Sequence, residues 1–335
     1  MKKPEALQSI IEAIEEMLER YPVMWSEDAT LAFSGGKDSI ALASALAATG
    51  RRPLLRAVDM GYSSTWRGRI EGLAQHLGLP LQMLTVAEIM QDDDTEPAIR
   101  RELVLRRAIL DDTSPSTQVS PCTNCYNCKI LSLVDFARLD GGNILFAHHA
   151  DDALSSFLKA ALMYLDRWRD GNKSFDRNRF RALGLQVAAD LRNGHKVSQD
   201  ELISLIVAGH AHTSVPPIER REIKGYAYRI GRPMFSVKEA WTAAFVQDLE
   251  IRAESSGCGH TLATATRTPR EIVHLEIIPY VAETARGREV LDDLRAAIAA
   301  GIGRDGTASF DARGERHLLL GDSYKGGPGN LADRL

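Results

Sequence analysis

The chain has 335 residues, a formal net charge of −4 and a hydrophobic content of 44%. These values suffice for one large domain or two ordinary ones with a packed core, which excludes a mainly disordered chain. The slight acidic excess excludes nucleic-acid binding through bulk positive charge. A polyanion could bind only at a local patch of positive charge. Because no apolar run reaches the roughly 18 to 20 residues of a membrane span, we expect a cytoplasmic protein with no membrane partner.

Short β-type runs alternate with segments of helical periodicity through the first half of the chain. An amphipathic helix comes first and ends near Tyr21 and Pro22. Strands are then predicted at 30–33, 54–59, 81–86 and 144–147, and helices at 38–49, 66–77, 100–110 and 129–139. This alternation predicts an α/β fold, a doubly wound parallel sheet with helices on both faces.

The composition changes near residue 166, where charged and polar residues dominate "DRWRDGNKSFDRNRFR" before helical patterns resume at 183–191 and 199–209. The sequence "YAYRIGRPMFSVKEAWTAAFVQDLEI" predicts a return to the core, and a further helix is expected at 289–300. We therefore divide the chain into an N-terminal helix (1–27), a core (28–165), a helical insertion (166–224), a second part of the core (225–320) and a loose tail (321–335).

The segment between the first predicted strand and its helix, residues 34–39, is named here the glycine loop. Backbone N–H groups and a helix N-terminus around a small concavity favour an anion such as phosphate. Glycines allow close backbone approach, the lysine adds a charge, and the serines add hydroxyl donors. The spacing differs from that of a Walker A loop, and a plain strand-to-helix turn remains an alternative. Its residues are Ser34, Gly35, Gly36, Lys37, Asp38 and Ser39.

The glycine loop resembles the pyrophosphate loop, Ser-Gly-Gly-x-Asp-Ser, of the N-type ATP pyrophosphatases. A second stretch, "LFAHHADDALSSFLKAAL", resembles the Gly/Ala-His-His-x-Asp-Asp segment of the tRNA 2-thiocytidine synthetases and lysidine synthetases. The resemblance covers roughly residues 28–165 and, more weakly, 225–275, and 166–224 has no counterpart in it. It implies an adenine nucleotide alpha hydrolase-like, Rossmann-like sheet that binds ATP in 28–165, and an enzyme that releases AMP and pyrophosphate while adenylating a substrate oxygen.

Three acidic residues are the candidate ligands of the Mg²⁺ that adenylation requires. Mg²⁺ prefers hard oxygen ligands, and Asp38, Asp151 and Asp152 supply them. We expect Asp38 and Asp152 to be catalytic, and Asp151 to bind the nucleotide complex. Adjacent acids also cap helices, so a capping role for the second and third remains open.

Further nucleotide contacts are expected at the ends of two strands. His148, with His149 beside it, could contact phosphate or merely end the fourth strand. Val58, Asp59 and Met60 end the second strand, where this fold presents its adenosine-binding edge, so we expect them to line the base and ribose.

Three of the four cysteines lie within "SPCTNCYNCKIL", as Cys122, Cys125 and Cys128, and the fourth is Cys258. Thiolates this close together can converge on one metal centre. Four thiolates suit tetrahedral Zn²⁺ as well as an iron–sulfur cluster. A zinc site would be structural, and sulfur would then travel as a cysteine persulfide.

The thiocytidine synthetase branch holds a [4Fe–4S] cluster with a Cys-x-x-Cys pair and one later cysteine, and one iron stays open to sulfur. The resemblance therefore implies Cys122, Cys125 and Cys258 as ligands. Cys128 departs from the pattern and is a candidate catalytic persulfide carrier; it could instead replace Cys258 or close the fourth site. The cysteines argue against the lysidine branch, which has no cluster.

Two stretches, 167–181 and 219–232, combine basic and aromatic residues, as binding of an exposed tRNA loop requires. A solvated helix face with a few core aromatics is the alternative. We expect an ATP-dependent sulfurtransferase that adenylates a nucleobase carbonyl oxygen and replaces it with sulfur, with tRNA as the leading substrate. A free nucleobase or nucleotide, or a zinc-stabilised ligase with an amine nucleophile, remains open. The expected partners are a sulfur donor, either a cysteine desulfurase or sulfide, and a second copy of the chain in a homodimer.

Overall fold

The computed structural model describes residues 3–59, 64–85, 129, 133, 143–166, 176–193, 202, 215, 217–223, 226–247 and 269–300. The described helices are α1 (Lys3–Arg20), α2 (Lys37–Ala48), α3 (Ser64–Leu77), α4 (Ala150–Tyr164), α5 (Arg177–Arg192), α6 (Glu239–Gln247), α7 (Pro269–Ile272), α8 (Ile278–Ala282) and α9 (Ala285–Ala300). A π-helical turn, Val273–Ile277, joins α7 to α8. The strands are β1 (Thr30–Ala32), β2 (Leu54–Asp59), β3 (Leu81–Thr85), β4 (Asn143–Leu145), β5 (Ile218–Ile223) and β6 (Tyr226–Gly231).

These strands form one sheet in the order β3-β2-β1-β4-β6-β5. The first five are parallel to their neighbours, and β5 pairs antiparallel with β6 at the edge. The connections between parallel strands of one sheet are right-handed. The helices of connections that run from β1 towards β3 therefore cover one face of the sheet, and those of connections that run towards β6 cover the other face. The predicted doubly wound α/β sheet is confirmed, and each of the four predicted strands is found within two residues of its expected bounds.

Burial explains why the central strands are short apolar runs. Leu31, Leu55 and Ile144 are fully buried, as expected of parallel strands covered by helices on both faces. Helix α2 is buried on more than one side, since it packs against α1, α3 and α6. On the other side of the molecule α4 packs against α5, α9 and the π-helical turn.

The order in which the chain adds strands to the sheet reverses at β1. Strands β2 and β3 follow on one side of β1, while β4 and β6 lie on the other. In open parallel sheets, ligands bind in the crevice beyond the carboxyl ends of the strands at such a switch point. The glycine loop follows β1 directly, and the His-His-Ala-Asp-Asp sequence follows β4.

Two features of the second half were not expected from the sequence. The 219–232 stretch contributes the β5–β6 hairpin, whose second strand pairs with β4 inside the sheet. Helix α5, at the start of the predicted insertion, packs against α4, α8 and α9. Its Phe180 is fully buried, so this aromatic ring is packed in the core and is not available for base stacking.

Several sequence predictions concern residues outside the described part of the chain. These are the helix at 100–110, most of the helices at 129–139 and 199–209, the residues 167–175, Met60, the four cysteines and the tail. The domain boundaries stay a prediction. Within the described residues, no helix combines the length and the apolar character needed to cross a membrane.

Candidate active site at the sheet switch point

A pocket of about 350 Å³ opens at the carboxyl ends of β1 and β4. Its volume lies at the lower end of the roughly 300 to 1,000 Å³ typical of small-molecule sites. It is lined by the end of β1, the glycine loop, part of β2 and the residues after β4. The lining residues are Ala32, Phe33, Ser34, Gly36, Asp38, Ser39, Arg56, Val58, Trp66, Lys129, Leu133, Phe146, Ala147, His148, Asp152 and Arg270.

The backbone of the glycine loop is fixed by its two serines. Gly36 N–H donates to Ser34 Oγ at 3.3 Å, and Ser39 Oγ donates to the Gly36 carbonyl at 2.9 Å. Gly36 is the N-cap of α2 and has no side chain to cap it. Because the first N–H groups of a helix lack intrahelical acceptors, the N-terminus of α2 offers the pocket an anion-binding end.

Gly35 has a positive φ of 72°, and a Cβ built on it would lie 2.3 Å from Ile70 Cδ1. Only glycine combines this backbone conformation with such close packing. We expect Gly35→Ala to cost about 1–2 kcal/mol of unfolding free energy for its left-handed backbone and about 1–3 kcal/mol more for overpacking. Urea unfolding would measure this loss.

Gly50 supplies the matched control for this substitution. Its φ is also positive, at 81°, but a Cβ there meets no heavy atom within 4 Å. Gly50→Ala should therefore show the backbone cost alone. Ile70→Val removes the atom that clashes and should recover part of the stability of Gly35→Ala. Equal losses in the two alanine variants would contradict the packing argument.

Asp38 lies in the first turn of α2 and receives contacts from three elements. Its Oδ1 accepts a hydrogen bond from the buried Thr242 hydroxyl of α6 at 2.7 Å. Lys37 Nζ lies 2.9 Å from Oδ2, and His149 Nε2 lies 3.6 Å from Oδ1. These contacts hold the carboxylate at the pocket wall while it remains partly exposed to a ligand.

His149 and Asp152 begin α4 with a reciprocal capping box. Asp152 N–H donates to His149 Nδ1 at 3.4 Å, and His149 N–H donates to Asp152 Oδ2 at 3.1 Å. Asp152 also pairs with Arg270 from α7. Burial opposes the charge of Asp152, but His149, the Arg270 guanidinium and the hydrogen bond from the His149 backbone N–H outweigh it and hold its pKa below the usual value. The capping role left open by the sequence is therefore observed, and the same carboxylate lines the pocket.

Asp151 is not among the lining residues of the pocket. Arg295 of α9 donates to its Oδ1 from Nε at 2.9 Å, and the Glu239 backbone N–H donates to its Oδ2 at 2.8 Å. The side chain is almost fully buried. In this arrangement Asp151 caps the N-terminus of α6 and ties it to α4 and α9. Of the two adjacent acids, the structure brings Asp152 to the pocket.

His148 also lines the pocket, and its surroundings keep the imidazole neutral. Burial, followed by the charge of Arg232, lowers its pKa to about 3. Arg232 Nε donates to His148 Nδ1 at 3.4 Å, and the ring stacks on Phe146 with centroids 5.6 Å apart. Because Nδ1 acts as an acceptor, the proton resides on Nε2, where it can serve as a donor to an oxyanion.

Among the residues expected to line the adenosine, Val58 lies in the pocket wall, and Asp59 ends β2 without being a lining residue. Met60 lies outside the described residues. Arg56 and Trp66, which the sequence did not single out, line the same side. Arg56 is buried, and this burial lowers its pKa to about 10, which leaves the guanidinium charged near neutral pH.

Lys37 is held between two carboxylates. Its Nζ lies 2.8 Å from Glu239 Oε1 in addition to its contact with Asp38. Burial opposes the ammonium charge, but Asp38 and Glu239 outweigh it and raise the pKa of Lys37. Glu239 Oε2 in turn lies 3.3 Å from His274 Nε2. This hydrogen bond from His274, with the contribution of Lys37, keeps the pKa of Glu239 well below its usual value.

The polar walls of the pocket fit a nucleotide–Mg²⁺ complex. Asp38 and Asp152 present carboxylate oxygens, and Mg²⁺ commonly takes one or two of these together with substrate phosphates. Within the described residues, no group of three or more His, Cys, Asp or Glu is close enough to hold a metal by itself. A metal here would therefore depend on ligands from the bound phosphates.

Besides Arg56 and Trp66, the sequence analysis missed Glu239, Thr242, Arg270 and His274. Glu239 and Thr242 begin α6, directly after the "RPMFSV" segment that predicted a return to the core. Their place beside the glycine loop follows from the pairing of β6 with β4. A polar residue at the start of a helix that follows a parallel strand is the signal that could have pointed to them.

The solved structures that are similar to this chain include three enzymes. U34-tRNA thiolase NcsA from Methanococcus maripaludis, solved with its [4Fe-4S] cluster, has 12% identity and a TM-score of 0.49 over 88% of this chain and 80% of its own. NMN synthetase from Francisella tularensis has 13% identity and a TM-score of 0.40 over 97% and 100%. NH3-dependent NAD synthetase from Campylobacter jejuni has 14% identity and a TM-score of 0.35 over 59% and 87%.

No family model matches the chain, and no curated protein matches it. The strand, the glycine loop and the helix that carry the resemblance to the N-type ATP pyrophosphatases are present in this order in the structure. At such low identities the fold assignment rests on the strand order of the sheet itself: the chain has a doubly wound, Rossmann-like α/β fold with a polar pocket at its switch point.

Proposed function

We propose that this protein is an ATP-dependent enzyme of the N-type ATP pyrophosphatase superfamily. It adenylates a carbonyl oxygen of a nucleobase and then replaces that oxygen with sulfur. The observation that carries the proposal is the position of the glycine loop, which places the N-terminus of α2 and Asp38 in one pocket with His148 and Asp152. A helix N-terminus binds the phosphates, and the carboxylates supply ligands for their metal.

Each side chain has a defined task in this reaction. The first N–H groups of α2 and the Nε2–H of His148 hold phosphate oxygens. Asp38 and Asp152 hold Mg²⁺, which neutralises charge on the phosphates when bound. The nucleobase oxygen attacks the α-phosphorus, the bond to the β-phosphate oxygen breaks, and pyrophosphate leaves. Hydrosulfide then adds to the adenylated carbon, AMP departs with the former carbonyl oxygen, and the proton of the hydrosulfide passes to solvent.

The sulfur step depends on the cysteines, which lie outside the described residues. It is supported by their spacing in the sequence and by the resemblance to the thiocytidine synthetase branch. Cys122, Cys125 and Cys258 would hold a [4Fe–4S] cluster, which supplies a site for sulfur, and Cys128 would lie beside it. Iron, zinc and sulfide analysis of protein purified without oxygen, together with its visible spectrum, distinguishes this centre from a structural zinc site.

The adenylation step is tested by determining which phosphate bond of ATP is cleaved. We expect ATP labelled at the α-phosphate to yield labelled AMP, and ATP labelled at the γ-phosphate to yield labelled pyrophosphate. Thin-layer chromatography separates these products from ADP and orthophosphate. If ADP and orthophosphate are the main products, the proposed function is wrong.

A small nucleobase or nucleotide is the second candidate for the sulfur acceptor, and one observation favours it. In the described part of the basic and aromatic stretch, Phe180 is buried, Arg179 pairs with Asp166 at 2.6 Å, and Arg181 pairs with Glu276. These two arginines and this aromatic ring make their contacts within the protein. tRNA remains the first candidate because the described residues cover only part of both basic stretches.

Salt dependence distinguishes the two acceptors. A protein that binds the phosphates of tRNA releases about one counterion for each phosphate contact. Its affinity for tRNA therefore falls as the salt concentration rises. We expect tRNA binding, measured by filter binding at several salt concentrations, to show such a slope. Sulfide-dependent AMP formation with a free base, in the absence of any tRNA affinity, would make the small molecule the substrate.

A further inference from the structure

Arg270 of α7 lies in the pocket wall with a fixed backbone and an accessible head group. Ile272 and Val273, two and three residues further along the chain, are buried in the core and anchor this segment. The side chain of Arg270 is 45% exposed, and its Nη2 donates to Asp152 Oδ1. The guanidinium can therefore change its partner while the backbone that carries it stays in place.

The carboxylate of Asp152 makes a contact with each of its oxygens. Oδ2 accepts the His149 N–H at 3.1 Å in the capping box, and Oδ1 accepts from Arg270. The proposed function gives this carboxylate to the Mg²⁺ of Mg–ATP. A divalent cation at Asp152 would meet the guanidinium at close range, and like charges repel. Arg270 and the metal of Mg–ATP therefore compete for the same carboxylate.

A second cation makes the observed position of Arg270 dependent on Asp152. Lys159 follows Asp152 by seven residues, about two turns, on α4 and is partly buried. Burial, followed by the charge of Arg270, lowers the pKa of Lys159. The same repulsion acts on Arg270, and the Asp152 carboxylate offsets it. Once Asp152 binds a metal, this compensation is lost and Arg270 requires another anion.

The phosphates of the bound nucleotide are the nearest source of that anion. Arg270, Asp152 and the glycine loop line one pocket, and the planar guanidinium suits paired hydrogen bonds to phosphate oxygens. We propose that Arg270 is a phosphate-binding residue of this site, which exchanges the Asp152 carboxylate for a phosphate oxygen of ATP when Mg–ATP enters the pocket. This inference rests on the proposed function, because it takes Mg–ATP as the ligand.

Calorimetric titration of the full chain with the non-cleavable analogue α,β-methylene-ATP tests the inference. With Mg²⁺ present we expect Arg270→Gln to weaken binding about tenfold, the loss associated with one charge-assisted hydrogen bond. Arg286→Gln is the control and should bind like wild type. The side chain of Arg286 is similarly exposed, at 47%, and pairs with Glu289 at 2.8 Å, but it does not line the pocket. Equal affinity of wild type and Arg270→Gln overturns the inference.

The Asp152→Asn background separates a direct phosphate contact from a role that acts through Asp152. Asparagine keeps an oxygen for the His149 N–H, so the capping box should persist, and thermal unfolding checks this. Arg270→Gln should weaken binding in this background as well, again about tenfold. A residue that merely held Asp152 in place would have no further effect there. Equal affinity of Asp152→Asn and the double variant therefore also overturns the inference.

Titration in the presence of EDTA tests the exchange of partners. Without a metal, Asp152 retains Arg270, so Arg270→Gln should cost less affinity when Asp152 is present than in the Asp152→Asn background. Equal losses in the two backgrounds would mean that no exchange takes place, and the inference falls. If the analogue does not bind without a metal, the titrations with Mg²⁺ decide. Each of these failures leaves the proposed function standing, provided that wild type still cleaves ATP to AMP and pyrophosphate. If wild type binds no nucleotide under any condition, both fall.

Discussion

Asp38→Asn should lower the rate of ATP cleavage by about 10²- to 10³-fold, the size of effect seen when one preorganised group that stabilises the transition state is removed from an active site. The carboxylate of Asp38 lies in the pocket wall, and the residue itself lies at the N-terminus of α2. Asparagine keeps an oxygen that can accept from Thr242, so the local fold should persist while the charge that holds Mg²⁺ is lost. Pyrophosphate release under saturating ATP and Mg²⁺ measures the rate.

Glu289→Gln is the matched control for this substitution. Glu289 also belongs to an ion pair within one helix, 2.8 Å from Arg286, but both side chains are exposed and remote from the pocket. Exposed pairs contribute about 0–1 kcal/mol, so the control should unfold and react like wild type. Thermal unfolding of Asp38→Asn checks that its fold is intact. Unchanged turnover in a folded Asp38→Asn protein would remove this residue from the mechanism.

The second large effect is expected at the cysteines. Alanine at Cys122, Cys125 or Cys258 should abolish the iron–sulfur chromophore and sulfur transfer together, because three thiolates hold the proposed cluster. Binding of ATP should survive in each variant, since the nucleotide pocket is built from other residues. Visible absorption, iron content and mass analysis of the thiolated product provide the measurements.

Cys128→Ala is the internal control for this series. It should keep the cluster, because the proposed ligands leave Cys128 outside the metal centre. Should Cys128→Ala lose iron while Cys258→Ala retains it, the ligands are the contiguous Cys-x-x-Cys-x-x-Cys triplet and Cys258 becomes the candidate sulfur carrier. A colourless protein with zinc in all variants would favour the ligase alternative, in which an amine takes the place of sulfur.

The sequence predicted the central sheet because buried parallel strands are short apolar runs between helical segments. Leu54–Asp59 was predicted with its observed bounds for this reason. The sequence predicted a return to the core from Tyr226, but it did not identify β5 or its hairpin with β6, because the charged residues at 219–223 were interpreted as a basic surface stretch. An edge strand tolerates such residues, and only long-range pairing with β4 identifies β6 as part of the sheet.

The candidate site could be predicted only where its residues are close in sequence. Residues 34–39 and Asp152 were found because each group follows a strand end. The choice between Asp151 and Asp152 could not be made, because neighbouring residues on a helix point about 100° apart and the sequence does not say which one faces the ligand. Glu239 and His274 were missed because the contacts of Glu239 with Lys37 and with His274 arise only when distant helices pack together.

The hydrogen bond between Thr242 and Asp38 joins residues 204 positions apart. During synthesis at about 5–20 residues per second, a nascent chain would spend on the order of 10–40 s between these two residues. The glycine loop and α2 would leave the ribosome long before α6 and the π-helical turn exist to hold Asp38 and Lys37. Nucleotide affinity should therefore arise only after α6 and the π-helical turn Val273–Ile277 have been synthesised and have packed against the glycine loop and α4.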